Sequence, residues 1–246
     1  MESWIIKALV LLVLYTMIVI TSNAQIASIE PKLDKDAYPF ALEKAGISVE
    51  EELELRIKRG DLIQPVGYSA YDTYKSYVEK HPSDQSLNKR LKRSLVAALA
   101  DASDKALTEY FDEGGAFILK YMSSFGAESR NIPVDQYYAV AADLLGEGHY
   151  LYESLKSKAY FIEALKLQYI ERQKPEGVKE KLLKSIALDP LASYTFNELG
   201  LINFAERNYT QACENYEMAI KLNPNWELPK EKLKIAEEAL IATENR

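Results

Sequence analysis

Two stretches in the C-terminal half of this chain repeat each other at a fixed offset. Ser185-Ile186-Ala187-Leu188-Asp189-Pro190 is matched position by position by Ala219-Ile220-Lys221-Leu222-Asn223-Pro224. Proline lacks an N–H and clashes with the preceding turn, so each stretch reads as the end of a helix. The offset from Pro190 to Pro224 sets a repeat period, and a period of about 34 residues holds two helices and two turns. One helix pair of that size cannot bury its own apolar face and must stack on neighbours. The period extends upstream, since Ile162, Leu165 and Tyr169 stand where Phe196, Leu199 and Asn203 stand one unit later. Leu199, Ala212, Tyr216 and Ala219 are placed to carry the contact between two antiparallel helices, with Gly200 and Ala219 small enough for close approach. Lys174-Pro175-Glu176-Gly177 and Arg207-Asn208 supply the turns between helices. Pro229 suits a first helical position. Beyond it Leu233, Ala236, Ala239 and Leu240 form a stripe at helical spacing, with Lys232, Lys234, Glu237 and Glu238 facing away.

The run Phe196-Asn197-Glu198-Leu199-Gly200, followed by Ala212, Tyr216, Ala219 and Pro224, resembles the tetratricopeptide repeat, whose pattern is W-x-x-L-G-x-x-Y, A-x-x-x-F, P. Phe196 replaces the usual tryptophan, Asn203 the second aromatic residue, and Lys166 the glycine of the earlier unit. The resemblance covers roughly residues 159–240. It implies an all-α fold of antiparallel helix pairs in a right-handed superhelix, with a divergent helical region before the repeats and a capping helix after them. The expected organisation is a leader over 1–24, an extended lead-in over 25–40, a divergent helical region over 41–158, and a repeat pair with its cap over 159–246. The leader, the Gly60-x-Leu62-x-x-Pro65 stretch and the terminal repeat pair together are similar to a group of bacterial secreted proteins with such repeats.

The middle of the chain is helical by pattern. Ala70, Tyr74 and Pro82 give half of the repeat motif. From about Ser86 to Tyr110 the pattern is helical, with Leu87, Leu91, Leu95 and Ala98 on one face; Ala102, Ala106 and Tyr110 continue that helix or start a new one, and Gly114-Gly115 breaks it. Ala116 to Phe125, Val134 to Leu145 and Tyr150 to Tyr169 read as further helices. No stretch after the leader alternates with a two-residue period, so little or no sheet is expected.

The resemblance also implies a use. In such repeats the first helix of each pair lines a concave peptide groove. Carried to this chain, the groove positions are Tyr160, Glu163, Leu167 and Ile170 in the earlier unit, and Tyr194, Asn197, Leu201 and Phe204 in the later one. No lysine or arginine stands there to clamp a terminal carboxylate, so the implied ligand is an apolar or extended protein segment. The same positions are equally suited to contacting the chain's own N-terminal helices. The function expected is a non-catalytic interaction scaffold or adaptor of the cell envelope. A structural subunit acting by oligomerisation, or an enzyme with an unrecognised helical site, are the alternatives.

No catalytic, cofactor or metal constellation is recognisable. Cys213 falls inside a repeat helix, where a small apolar role is expected. His81 and His149 are far apart and lack a partner motif. Gly114-Gly115 and Gly146-x-Gly148 have neither the strand nor the lysine of a phosphate loop. Arg59-Gly60-Asp61 reads as a helix end and a turn. The formal net charge of −7 argues against a nucleic-acid partner, which calls for a basic face.

The N-terminus has the form of an export leader. Lys7 supplies the charge, Ala8 to Ile20 the apolar run, and Ser22-Asn23-Ala24 a small-x-small site. The run is short for a membrane span of about 20 residues. A cleaved leader and a periplasmic or extracellular chain are therefore expected, with membrane attachment only through an uncleaved leader. N-terminal sequencing of the protein from its producing cells should find Gln25 first. An intact Met1 on a soluble cytoplasmic protein would refute export.

Overall fold

The computed structural model describes residues 46–122 and 133–245, and every regular element among them is helical. The expected leader and lead-in lie outside the described residues, as does the end of the helix expected over Ala116 to Phe125. Among the described residues no helix is long and apolar enough to cross a membrane. The chain divides into two compact units, at Lys80 and His81.

The first unit contains α1 (Val49–Arg59) and α2 (Ala70–Lys80), packed as a pair. Both begin with reciprocal side-chain caps. Ser48 Oγ accepts from the Glu51 N–H while the Glu51 carboxylate accepts from the Ser48 N–H. Ser69 and Asp72 repeat the arrangement. Each box satisfies two of the N–H groups that a helix start leaves open. Gly60, at φ 81°, closes α1 with its N–H turned back to Arg56 and Ile57. That left-handed conformation suits glycine, so Arg59-Gly60-Asp61 is a helix end.

The second unit contains α3 (Gln85–Glu113), a 3₁₀ turn (Gly115–Phe117), α4 (Ile118–Met122), α5 (Val134–Leu145), α6 (Tyr152–Leu165) running into a π turn (Lys166–Ile170), α7 (Pro175–Leu188), α8 (Ser193–Ala205), α9 (Tyr209–Leu222) and α10 (Glu227–Glu244). Helix α5 packs on α3 and on α6, and from α6 to α10 each helix packs on the next. Asp104 ties three of these helices together, accepting from Tyr138 of α5 at 2.6 Å and from Lys158 of α6 at 2.7 Å.

The repeat period is visible in this geometry. Helix α9 begins and ends one period after α7, and α10 begins one period after α8. The buried residues of α7 are Val178, Leu182 and Ser185; those of α9 are Ala212, Tyr216 and Ala219, the same positions one period later. The turns repeat as well. Asp189 has φ −135° and ψ 91°, and Asn223 has φ −137° and ψ 81°. Both units therefore solve the same packing problem, with different side chains. Tyr216 in the later unit lies against Gly200, where an added Cβ would stand 2.5 Å from its ring. In the earlier unit the smaller Leu182 replaces Tyr216, and Lys166 can occupy the glycine position.

Two local expectations are corrected. Pro175, Glu176 and Gly177 belong to α7, whose first residue is Pro175, and the turn is made upstream by residues 171–174 with Arg172 at φ 51°. Proline fits there because first-turn N–H groups have no helical acceptor. For the same reason Pro229 is accommodated within the first turn of α10, which starts at Glu227.

Gly200→Ala and Ala219→Leu should each destabilise the protein by about 1–3 kcal/mol, because both sites are closed by facing side chains. For a chain of this size that lowers Tm by about 2–4 °C per kcal/mol. Thermal unfolding followed by circular dichroism measures it, and an unchanged Tm in both variants would mean that the helix contact is wrongly placed.

Candidate functional site

The expected groove residues do not form one open surface. Asn197 is fully buried and Tyr194 is 7 % exposed, against the expectation of exposure. Helix α3 occupies their surroundings. Tyr110 lies there with no exposure, and its ring meets Phe161 edge-on at 4.9 Å and Trp226 at 5.7 Å. Tyr194 packs on Phe111 at 6.3 Å and on Phe161 at 4.5 Å. Phe204 and Leu201 are half-buried, and Phe204 packs against the cluster of Ala212, Tyr216 and Ala236. Tyr194 and Asn197 are thus covered by α3, and Phe204 by α9 and α10, so these residues do not stand together on one open face.

A polar network sits inside this apolar surround. The Tyr110 hydroxyl is shared between Glu198 Oε1 at 2.9 Å and the Tyr194 carbonyl at 3.1 Å. It accepts from Asn197 Nδ2 at 2.8 Å. Tyr169, on the π turn, donates to Glu198 Oε2 at 3.3 Å. Lys232 of α10 approaches Asn197 Oδ1 at 3.5 Å. Burial pushes the Glu198 carboxyl above its ordinary value, while Lys232 and the two tyrosine hydroxyls pull it down. Burial pulls the Lys232 ammonium below its ordinary value, and Glu198 works against that. Lys232, expected to face away from the stripe on its helix, is turned inward instead. Glu198 was read only as part of the repeat run, because a carboxylate in an acidic chain carries no signal of burial. Its lysine partner stands one period later, at the equivalent repeat position.

Three of the four earlier-unit groove residues do come together, in a cleft of about 410 Å³ between α5 and α6. Tyr160, Glu163 and Leu167 line it from α6 and the π turn, and Asp135, Gln136 and Val140 from α5. Ile170 lies beyond it and is half-buried. Asp135 Oδ2 accepts from Lys166 at 2.8 Å, and this bond, ahead of the opposing effect of burial, holds the lysine above its ordinary value. Glu163 is paired with Lys181 at 2.6 Å, and Lys156 with Asp143 at 2.7 Å. Lys181 also stands 5.6 Å over the Tyr160 ring. The cleft is consequently a mixed surface, with an apolar floor and a charged rim.

The single cysteine and the histidines stand apart from both places. Cys213 is half-buried on α9, and burial together with the nearby carboxylates of Glu237 and Glu217 pushes its thiol up, away from the thiolate a nucleophile needs. His149 Nδ1 accepts from the Leu151 N–H at 3.2 Å, and its ring stacks on Tyr150. Comparison with protein-family models, with characterised proteins and with solved structures finds no match.

The buried carboxyl sets a pH dependence whose sign can be stated. A carboxyl with a folded-state pKa above its unfolded value contributes stability that is present below the unfolded value, near 4.5, and is lost as pH rises through the folded value. Glu198→Gln lacks this dependence. The Tm of the variant relative to the parent should therefore improve as pH is raised from about 4 to 7. A difference in Tm that stays flat over that range would show that Glu198 titrates as an exposed carboxyl.

Proposed function

We propose that this chain is a non-catalytic protein-interaction module of the tetratricopeptide type, exported to the periplasm or cell envelope, which takes a protein segment in the cleft between α5 and α6. One observation carries the repeat assignment: the three buried positions of α7 recur one period later on α9, with closely similar turns after them. Stacked helix pairs of that period serve mainly as binding surfaces. Where the later unit's groove is occupied by α3, the cleft beside the earlier unit offers a concave surface that combines apolar floor and charged rim. A protein segment is suited to both, because its backbone and side chains supply polar and apolar groups together. The superhelical arrangement of the pairs belongs to this same reading.

The reading is tested by site-specific photo-crosslinking in the producing cells. A photoreactive residue at Gln136, exposed on the cleft wall, should give a discrete adduct, identifiable by mass spectrometry. The same residue at Glu214, exposed on α9, should not. Ala139→Phe, which fills the cleft, should abolish the Gln136 adduct while Tm stays within a few degrees. Adducts of equal yield from both sites, or an adduct indifferent to cleft filling, would place partner binding elsewhere.

A further inference from the structure

We infer that the cleft between α5 and α6 receives an arginine side chain of the partner segment, with Lys166 as a built-in competitor for the same carboxylate. This rests on the reading of the cleft as the partner site. The argument starts at Asp135, whose side chain is 9 % exposed. Its Oδ2 is held by Lys166, but its Oδ1 is shut from solvent and accepts no hydrogen bond from the described residues. A buried acceptor without a donor is costly, and native structures keep few of them. On the same π turn the Gln168 Oε1 is buried and equally unsatisfied.

An ammonium is a point charge and serves one carboxylate oxygen here. A guanidinium presents a planar fork and can serve both oxygens at once. Arginine is therefore the side chain that would complete Asp135. Its methylenes have the apolar floor of Ala139, Val140 and Leu167 to lie on. The other cation on the rim, Lys156, is committed to Asp143. Lys166 is a third exposed, and among the described residues its ammonium has the single hydrogen bond to Asp135, so it can swing out when a fork arrives. It also opens the π turn, a geometry that recurs at functional sites.

The test uses the full chain and three pools of labelled nonapeptides. Their central residue is fixed as arginine, lysine or citrulline, and the other positions are randomised. Fluorescence anisotropy gives an apparent Kd for each pool. The arginine pool should bind about tenfold or more tightly than the citrulline pool, and clearly more tightly than the lysine pool. Asp135→Asn should erase the preference. Lys166→Ala should tighten the arginine pool, which keeps the inference testable if the aspartate variant does not fold. Equal affinity for the three pools, with binding still blocked by Ala139→Phe, would overturn the arginine assignment and leave the cleft as partner site. Binding that ignores Ala139→Phe, or no binding of any pool, would overturn both.

Discussion

The second unit is organised around one hydroxyl. Tyr110 is buried in a cage of Phe111, Phe117, Phe161 and Trp226, where an unpaired polar atom would be costly. The Glu198 carboxylate, the Tyr194 carbonyl and the Asn197 amide meet it there. Two of those partners had been expected to face a ligand. Their polar groups are spent instead on fixing α3 against α8. Tyr169 then joins the π turn to the same carboxyl, and Lys232 of α10 donates to the Asn197 amide oxygen while its charge attracts Glu198, so four helical segments meet at one buried polar cluster. Removing one partner from such a node strands the others, whereas replacing the whole set with apolar groups costs much less. The node is therefore more a device for register than a source of net stability.

On the proposed reading, that node directs the partner segment away from Tyr194 and Asn197. Tyr194 and Asn197, buried against α3, offer no surface to a peptide. The cleft between α5 and α6 has no such occupant among the described residues. Its walls owe their spacing to small side chains, with Ala139 on one helix and Ala159 on the other. Lys166, at the position of the repeat's glycine, contributes a charge where the later unit has only a close helix contact. The same departure from the repeat pattern that makes the earlier unit look degenerate thus gives it a chemically distinct surface.

Much of the architecture could be read before any coordinates. The helix over Val134 to Leu145 was expected with the same bounds, whereas the pattern before Gly114-Gly115 allowed one helix or two and the structure makes it one, Gln85–Glu113. These elements are marked by apolar periodicity and by glycine or proline at their ends, both of which act within a few residues along the chain. Turn boundaries were less legible. Proline near a helix start is compatible with the turn and with the first helical turn alike, which is why Pro175 and Pro229 were misplaced by a few residues. The π turn left no trace in the pattern, since inserting one residue into a helical turn alters no residue type.

The sequence by itself determined that the described part of the chain is helical, that its last units share one repeat period, and which small residues stand at their helix contacts. Those properties follow from local conformational preference and from repetition, and both are written in residue order. Only the tertiary structure decided that α3 covers Tyr194 and Asn197, that Glu198 is buried with Tyr110, Tyr169 and Asn197, and that Asp135, beside Lys166, has one oxygen without a donor among the described residues. Each of these depends on which side chains meet across a separation of 29 to 88 residues. A glutamate or an aspartate looks the same in the sequence whether it is solvated or enclosed. Its environment is set by the packing of neighbouring helices, and burial and hydrogen bonding then fix its charge, its partners and its use.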